Sequence, residues 1–285
     1  MQALFFYAQK GRHGWWHYPL TLVLATLATL VLSMLVLLPL MLTGVLPADF
    51  LAHMQSPDQP AAFFITTGAS FGFIVLGLAA AVAVVHRKSP LDLLGAWRWS
   101  DFAVGLSLWL MVLLVLTAID FALAPGGFRP AANAATTALI LWSVPTLLIQ
   151  TFAEEYLFRG YLTQGLLLAI RNPVVAAMIS GLIFGVAHIP NGLPQTVFAT
   201  IFGVVLALLA IRTGGLAFGV GLHFVNNLFG AVVVVSGGDV FKGAPGLFAQ
   251  NTPHLMWWDV AAAAASAAIV LAVVWRRQGR ATAAS

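Results

Sequence analysis

YPLTLVLATLATLVLSMLVLLPLMLTGVL, residues 18–46, contains no charged side chain. The hydrocarbon core of a bilayer takes about 20 apolar residues of helix, so a run of this length reads as membrane-spanning. It also outlasts the apolar core of a cleavable signal peptide, and so reads as a retained anchor. Working outward, comparable runs recur at 62–86, 102–124, 138–170, 174–189, 195–211, 216–235 and 257–275, separated by charged or Pro/Gly-rich breaks. The fourth run is long and carries Pro145, which predicts a bend or an extension beyond the bilayer; the fifth is short and ends in the turn IPNGLP at 189–194. Composition agrees, since 61% of the 285 residues are hydrophobic, only 8% are charged, and the mean hydropathy of +0.96 lies outside the range of soluble domains. The expected fold is all-α: a single integral membrane domain over residues 1–285, built as a polytopic bundle of about eight transmembrane helices.

Charge placement orients the bundle. With the N-terminus inside, the cytoplasmic segments hold Lys10, Arg12, Arg87, Lys88, Arg98, Arg171, Arg212, Arg276, Arg277 and Arg280, whereas the opposite loops hold Arg129 and Lys242. The excess of cations on one side predicts an N-in, C-in topology. The net charge of +4 and the pI near 9.9 reflect those loops, not a nucleic-acid surface. The absence of cysteine excludes a disulfide framework, a thiolate zinc site and a cysteine nucleophile. RKSPLDLLGAWRW at 87–99 reads as an interfacial helix, and Trp15, Trp16, Trp257 and Trp258 read as an aromatic belt. AAAAASAA at 261–268 reads as a close-packing face of the last span.

Against this background AEEYLFRG at 153–160 stands out, because it places Glu154, Glu155 and Arg159 inside the fourth span. An ionised side chain at the centre of a membrane helix costs roughly 2.5–3.5 kcal/mol on insertion scales, so three need compensation. Glu155 and Arg159 are four residues apart with the acid first, the favourable order for an ion pair on one helix face. Glu154 points about 100° away and cannot share that cation equally. A carboxylate without its own cation in a low-dielectric site holds a proton more readily, which suits a general base. A structural ion-pair network between helices is the competing reading of these three residues alone.

Two further polar sites shift that balance. The fifth span ends in FGVAH, with Phe184 and His188 four apart, and the seventh carries HFVNN, with His223 and Asn227 four apart. Counted from the turns near Asn172 and Thr213, the heights of Glu154, His188, His223 and Asn227 along their helices overlap within roughly 12 Å. The spacing predicts one cluster at similar depth, around residues 140–235. Among rival chemistries, H-E-x-x-H is absent. Asp120 has no evident partner for an aspartyl dyad, and Ser180 lies eight residues from His188. Asn226 reads as a packing hydrogen bonder, Phe184 as packing beside His188, Asp259 as a helix N-terminal charge, and His13, His17, His86 and His254 as interfacial.

The ordered triple E-E-x-x-x-R, F-x-x-x-H and H-x-x-x-N resembles the CAAX-protease and bacteriocin-processing (CPBP, or abortive-infection) family of intramembrane proteases. The resemblance covers residues 140–235. It implies an eight-helix membrane endopeptidase in which Glu154 activates water with help from His188, His223 and Asn227 hold the oxyanion, and Glu155 and Arg159 support the site. The implied partner is a membrane-embedded or membrane-anchored, in some cases lipidated, protein or peptide, and the expected location is a bacterial inner membrane. A zinc-dependent version would hold the ion with Glu154, His188 and His223. The metal-free version accounts better for Asn227, whose amide suits an oxyanion. A non-catalytic scaffold or immunity protein, and a proton-conducting transporter, are the alternatives of other classes; the chain has no apparent inverted repeat with broken helices to favour the transporter.

Overall fold

The computed structural model describes residues 2–44, 56–252 and 256–283. His254 lies outside the described residues. Nine helices run through these segments in the order α1 (Gln2–Ala8), α2 (His17–Leu42), α3 (Pro60–Val85), α4 (Trp99–Leu123), α5 (Thr136–Ile170), α6 (Pro173–Ala187), α7 (Leu193–Thr213), α8 (Ala217–Val233) and α9 (Met256–Ala283). Six of them, α2, α3, α4, α5, α7 and α9, are long and apolar enough to cross a membrane, whereas α6 and α8, in the fifth and seventh apolar runs, are shorter. The protein is an all-α integral membrane protein.

The bundle is inside-out by soluble standards. α2 exposes Leu27, Leu30, Met34 and Leu35, and α4 exposes Met111 and Leu114, as helices facing lipid must. The centre is α7, where Leu206, Ala207, Leu209 and Ala210 are buried. With no hydrophobic drive between helices in lipid, close contact depends on small residues. A Cβ on Gly181 or Gly185 of α6 would collide with Val204 or Thr200 of α7, and a Cβ on Gly105 of α4 or Gly221 of α8 would collide with the facing backbone at Phe218 or Phe102. These two crossings draw α6 and α8, which carry the histidines, toward the middle of the molecule.

Three departures from expectation concern local structure. The stretch 87–99 does not form an interfacial helix: a 3₁₀ turn at Pro90–Leu94 is followed by a single bridge from Gly95 to Gly215. Pro90 starts this turn and Gly95, at φ 65°, ends it. α6 stops at Ala187, so His188 caps the helix instead of lying within it; Pro190 follows and disfavours helix at Ile189. At the end of the bundle away from α1, three short strands, β1 (Phe128–Pro130), β2 (Val234–Ser236) and β3 (Phe248–Gln250), form a sheet in the order β1-β3-β2. β3 pairs antiparallel with β1 and parallel with β2. At the opposite end α1 packs against the 3₁₀ turn, the end of α5 and the end of α7, with Leu4 and Ala8 buried.

Candidate active site

α5 winds as an ordinary helix through Glu155 and then as a π-helix over Tyr156–Thr163. Widened turns of this kind occur often at functional sites. Arg159 lies within the widened turn and is fully buried. Its Nη1 donates to Glu155 Oε1 at 2.9 Å, its Nη2 donates to the Gly203 carbonyl at 3.2 Å, and its guanidinium lies 4.3 Å from the Phe184 ring centroid. Glu155 also meets His223, whose Nδ1 is 2.9 Å from the same Oε1. An ionised carboxylate only accepts, so Nδ1 carries the proton and donates, leaving Nε2 for the other side of the ring. That side faces Glu154, with Nε2 3.6 Å from Oε2. Glu154 Oε1 accepts from Gln150 Nε2 at 3.3 Å, while the buried Oε2 has no hydrogen-bond partner.

The resulting chain runs Arg159, Glu155, His223, Glu154. One acid is neutralised by a cation and fixes the imidazole; the other faces the free ring nitrogen. Gly219 makes room for Glu155, since a Cβ there would stand 3.2 Å from Glu155 Oε2. Phe184 sits among the charged groups, its ring 4.5 Å from that of His188 and 5.9 Å from that of His223. His188 Nδ1 donates to the Phe184 carbonyl at 2.8 Å, which leaves Nε2 as the ring nitrogen free of that bond.

His188, His223 and Asn227 line one cavity of about 290 Å³, together with Gln150 and Phe184. Glu154 itself is not in the cavity wall; it stands behind Gln150 and His223. No hydrogen bond or ion pair among the described residues joins His188 to Glu154; the imidazole in contact with Glu154 is that of His223. Asn227 Oδ1 accepts from Asn226 Nδ2 at 3.2 Å, and Asn226 Oδ1 in turn accepts from Trp109 Nε1 at 3.0 Å. This relay fixes the amide so that Asn227 Nδ2 remains a donor for the cavity. Sequence reasoning missed Gln150 and Trp109. Gln150 had a signal, four residues before Glu154 on the same helix face, whereas Trp109 lies on a distant helix and had none. Ser180 is buried between Phe158 and Thr163 in a purely structural bond pair. Asp120 does have a neighbour, contrary to the sequence reading: Asp259 from the first turn of α9 lies beside it, and both line the cavity.

The zinc alternative needs three ligands around one point. Among the described residues no three His, Cys, Asp or Glu side chains are grouped to hold a metal ion. Glu154 and His223 approach each other, but His188 does not complete the set, so the side chains as arranged do not fit the ion.

A polytopic α-helical membrane protein with buried carboxylates, imidazoles and a guanidinium beside a central cavity defines the class. Residues 135–229 match the family model described as Type II CAAX prenyl endopeptidase Rce1-like, and this segment is a domain of that family. The chain is 30% identical over 170 residues to "Uncharacterized protein YyaK" of Bacillus subtilis (strain 168), a match covering 56% of this chain and 56% of that protein. It thus spans little more than half the length of this bacterial relative. No solved structure matches the chain.

Proposed function

We propose that the chain is an intramembrane endopeptidase that hydrolyses a peptide bond in a membrane-embedded or membrane-anchored protein, prenylated or otherwise lipidated substrates included. The observation that carries the reading is the free Oε2 of Glu154 facing His223 Nε2 at 3.6 Å, with Nδ1 of the same ring tied to the Glu155–Arg159 pair. Peptide hydrolysis needs a base for water and donors aimed at the developing oxyanion. Water that reaches Glu154 Oε2 from the cavity, beside His223, gives its proton to that carboxylate, which passes it to His223 Nε2. The protonated His223 and the Asn227 amide then donate to the oxyanion, and the proton leaves with the amine. His188, which lines the same cavity, orients the water through Nε2. Residues 140–235 form the catalytic core of a single membrane domain, with α6 and α8 completing eight spans in an N-in, C-in arrangement within a bacterial cell membrane.

The test uses the full chain in nanodiscs with a pool of single-span and lipid-anchored peptides in heavy-oxygen water. Cleavage should place one heavy oxygen at each new C-terminus, and Glu154→Gln should slow it by about 100- to 10,000-fold, the worth of a general base. Undiminished cleavage by Glu154→Gln contradicts the assignment. No cleavage by the native chain, with a full cellular phenotype in Glu154→Gln, returns the cluster to a scaffold or immunity role.

A further inference from the structure

Beyond the histidines, the cavity carries a second set of polar residues that the hydrolytic reading leaves unused. Asp120 from the last turn of α4, Asp239 from the β2–β3 connection and Asp259 from the first turn of α9 all line it. Asp120 is only 8% exposed and adjoins Asp259. Asp239 accepts from its neighbour's backbone N–H, that of Val240, and from Gln195 Nε2 at 3.4 Å. Burial pushes the Asp239 carboxyl above the usual carboxylate range. Among the described residues no lysine or arginine lines the cavity, although the chain as a whole is basic. Three acids therefore line one cavity to which the protein supplies two imidazoles but no lysine or arginine.

An independent observation points to what belongs there. Gln250, the last residue of β3, lines the same cavity, is 8% exposed, and has no hydrogen-bond partner for Nε2. Its backbone is held in register between Phe128 and Ser236, which fixes the face of the strand from which the side chain leaves. A buried amide donor left unpaired costs about 1–3 kcal/mol. An occupant must then offer a positive charge to the aspartates and a hydrogen-bond acceptor to Gln250. A simple cation meets only the first demand. A polypeptide with a lysine or arginine side chain meets both, since its backbone carbonyls accept.

We propose that Asp120, Asp239, Asp259 and Gln250 form the subsite that receives a basic residue of the polypeptide substrate, with Gln250 holding the adjoining backbone. The proposal rests on the endopeptidase reading of the same cavity, and it selects which substrates present a bond to Glu154.

The test measures binding, so it does not depend on turnover. Fluorescent single-span peptides, N-acetylated and identical except for one Lys, Gln or Glu at the membrane boundary, are titrated onto the full-length Glu154→Gln chain in nanodiscs. The Lys peptide should bind about tenfold more tightly than the Gln peptide, and the Glu peptide least, a ratio within reach of a charge-assisted bond. Asp239→Asn and Asp120→Asn should bring the Lys-to-Gln ratio toward one, and Asp239→Lys should reverse the order in favour of Glu. Gln250→Ala should weaken all three peptides alike, by about two- to tenfold. Equal affinity for Lys and Gln peptides overturns the subsite, and that comparison needs no aspartate variant to fold. So does a Lys preference that survives every aspartate substitution. A Lys preference in a native chain that cleaves nothing supports the subsite and counts against the hydrolytic reading alone.

Discussion

Arg159 is the side chain on which the charged cluster depends. It is fully buried, bonds Glu155 and the Gly203 carbonyl, and lies against Phe184. Removing one partner of a buried ion pair leaves the other charge uncompensated, at a cost of about 3–5 kcal/mol. Arg159→Met is therefore expected to lower the thermal unfolding temperature in detergent markedly, and Arg159→Lys should not restore it, because an ammonium cannot fork between Glu155 and Gly203. Glu154→Gln should leave that temperature nearly unchanged, since Glu154 Oε2 has no partner to lose. Equal destabilisation by the two substitutions would contradict the division between a neutralised acid and a working one. The i, i+4 spacing made the Glu155–Arg159 pair readable from sequence, and the order of the motifs made the cluster readable. The partner of His223 was not: which carboxylate meets which ring nitrogen depends on how α5 and α8 face each other, and no spacing within one helix encodes that.

At the scale of elements, the apolar runs located α2 to α8 to within about four residues at each end, whereas α9 continues past its run to Ala283 and α1 fell in no run. What escaped was short or irregular. The strands are three residues each, too brief for alternation to register. The π-helical turn at Tyr156–Thr163 meets α6 in a tertiary contact, Thr163 Oγ1 lying 2.9 Å from Ser180 Oγ, which no spacing within α5 reports. The 3₁₀ turn after α3 docks on α5 through polar bonds that hydropathy does not report. Lys88 Nζ donates to Gln164 Oε1 at 2.9 Å, and Gln164 Nε2 donates to the Leu93 carbonyl at 3.1 Å. Burial lowers the Lys88 amine from its ordinary 10.5 to about 8. Between about 8 and 10.5 the folded chain binds fewer protons at Lys88 than the unfolded chain, so its contribution to stability rises with pH across that window. Below it both states are protonated and the contribution is flat. Thermal unfolding from pH 7 to 10 should show this rise in the native chain relative to Lys88→Met; parallel curves would remove Lys88 as its source.

At the scale of the whole molecule, the cavity lies toward the sheet. Three of its lining residues, Asn191, Gly238 and Val240, are exposed at that end, away from α1. The basic residues Arg12, Arg87, Arg98 and Arg171 lie in the connections at the other end. If cations mark the cytoplasmic side, the cavity opens to the extracytoplasmic side. The chain has no cysteine, so single-cysteine labelling is free of background. Ser236→Cys is expected to react with an impermeant maleimide in intact cells, and Arg98→Cys only after permeabilisation. The opposite pattern would invert the topology and the side from which substrate enters.

Glu154 and its neighbours are proposed to hydrolyse membrane-associated polypeptides. The most direct measurement maps protein termini in membranes from cells carrying the native chain or Glu154→Gln at matched abundance. New termini within or beside membrane-spanning segments should occur only with the native chain. Indistinguishable terminus maps from the two cell populations would contradict the claim.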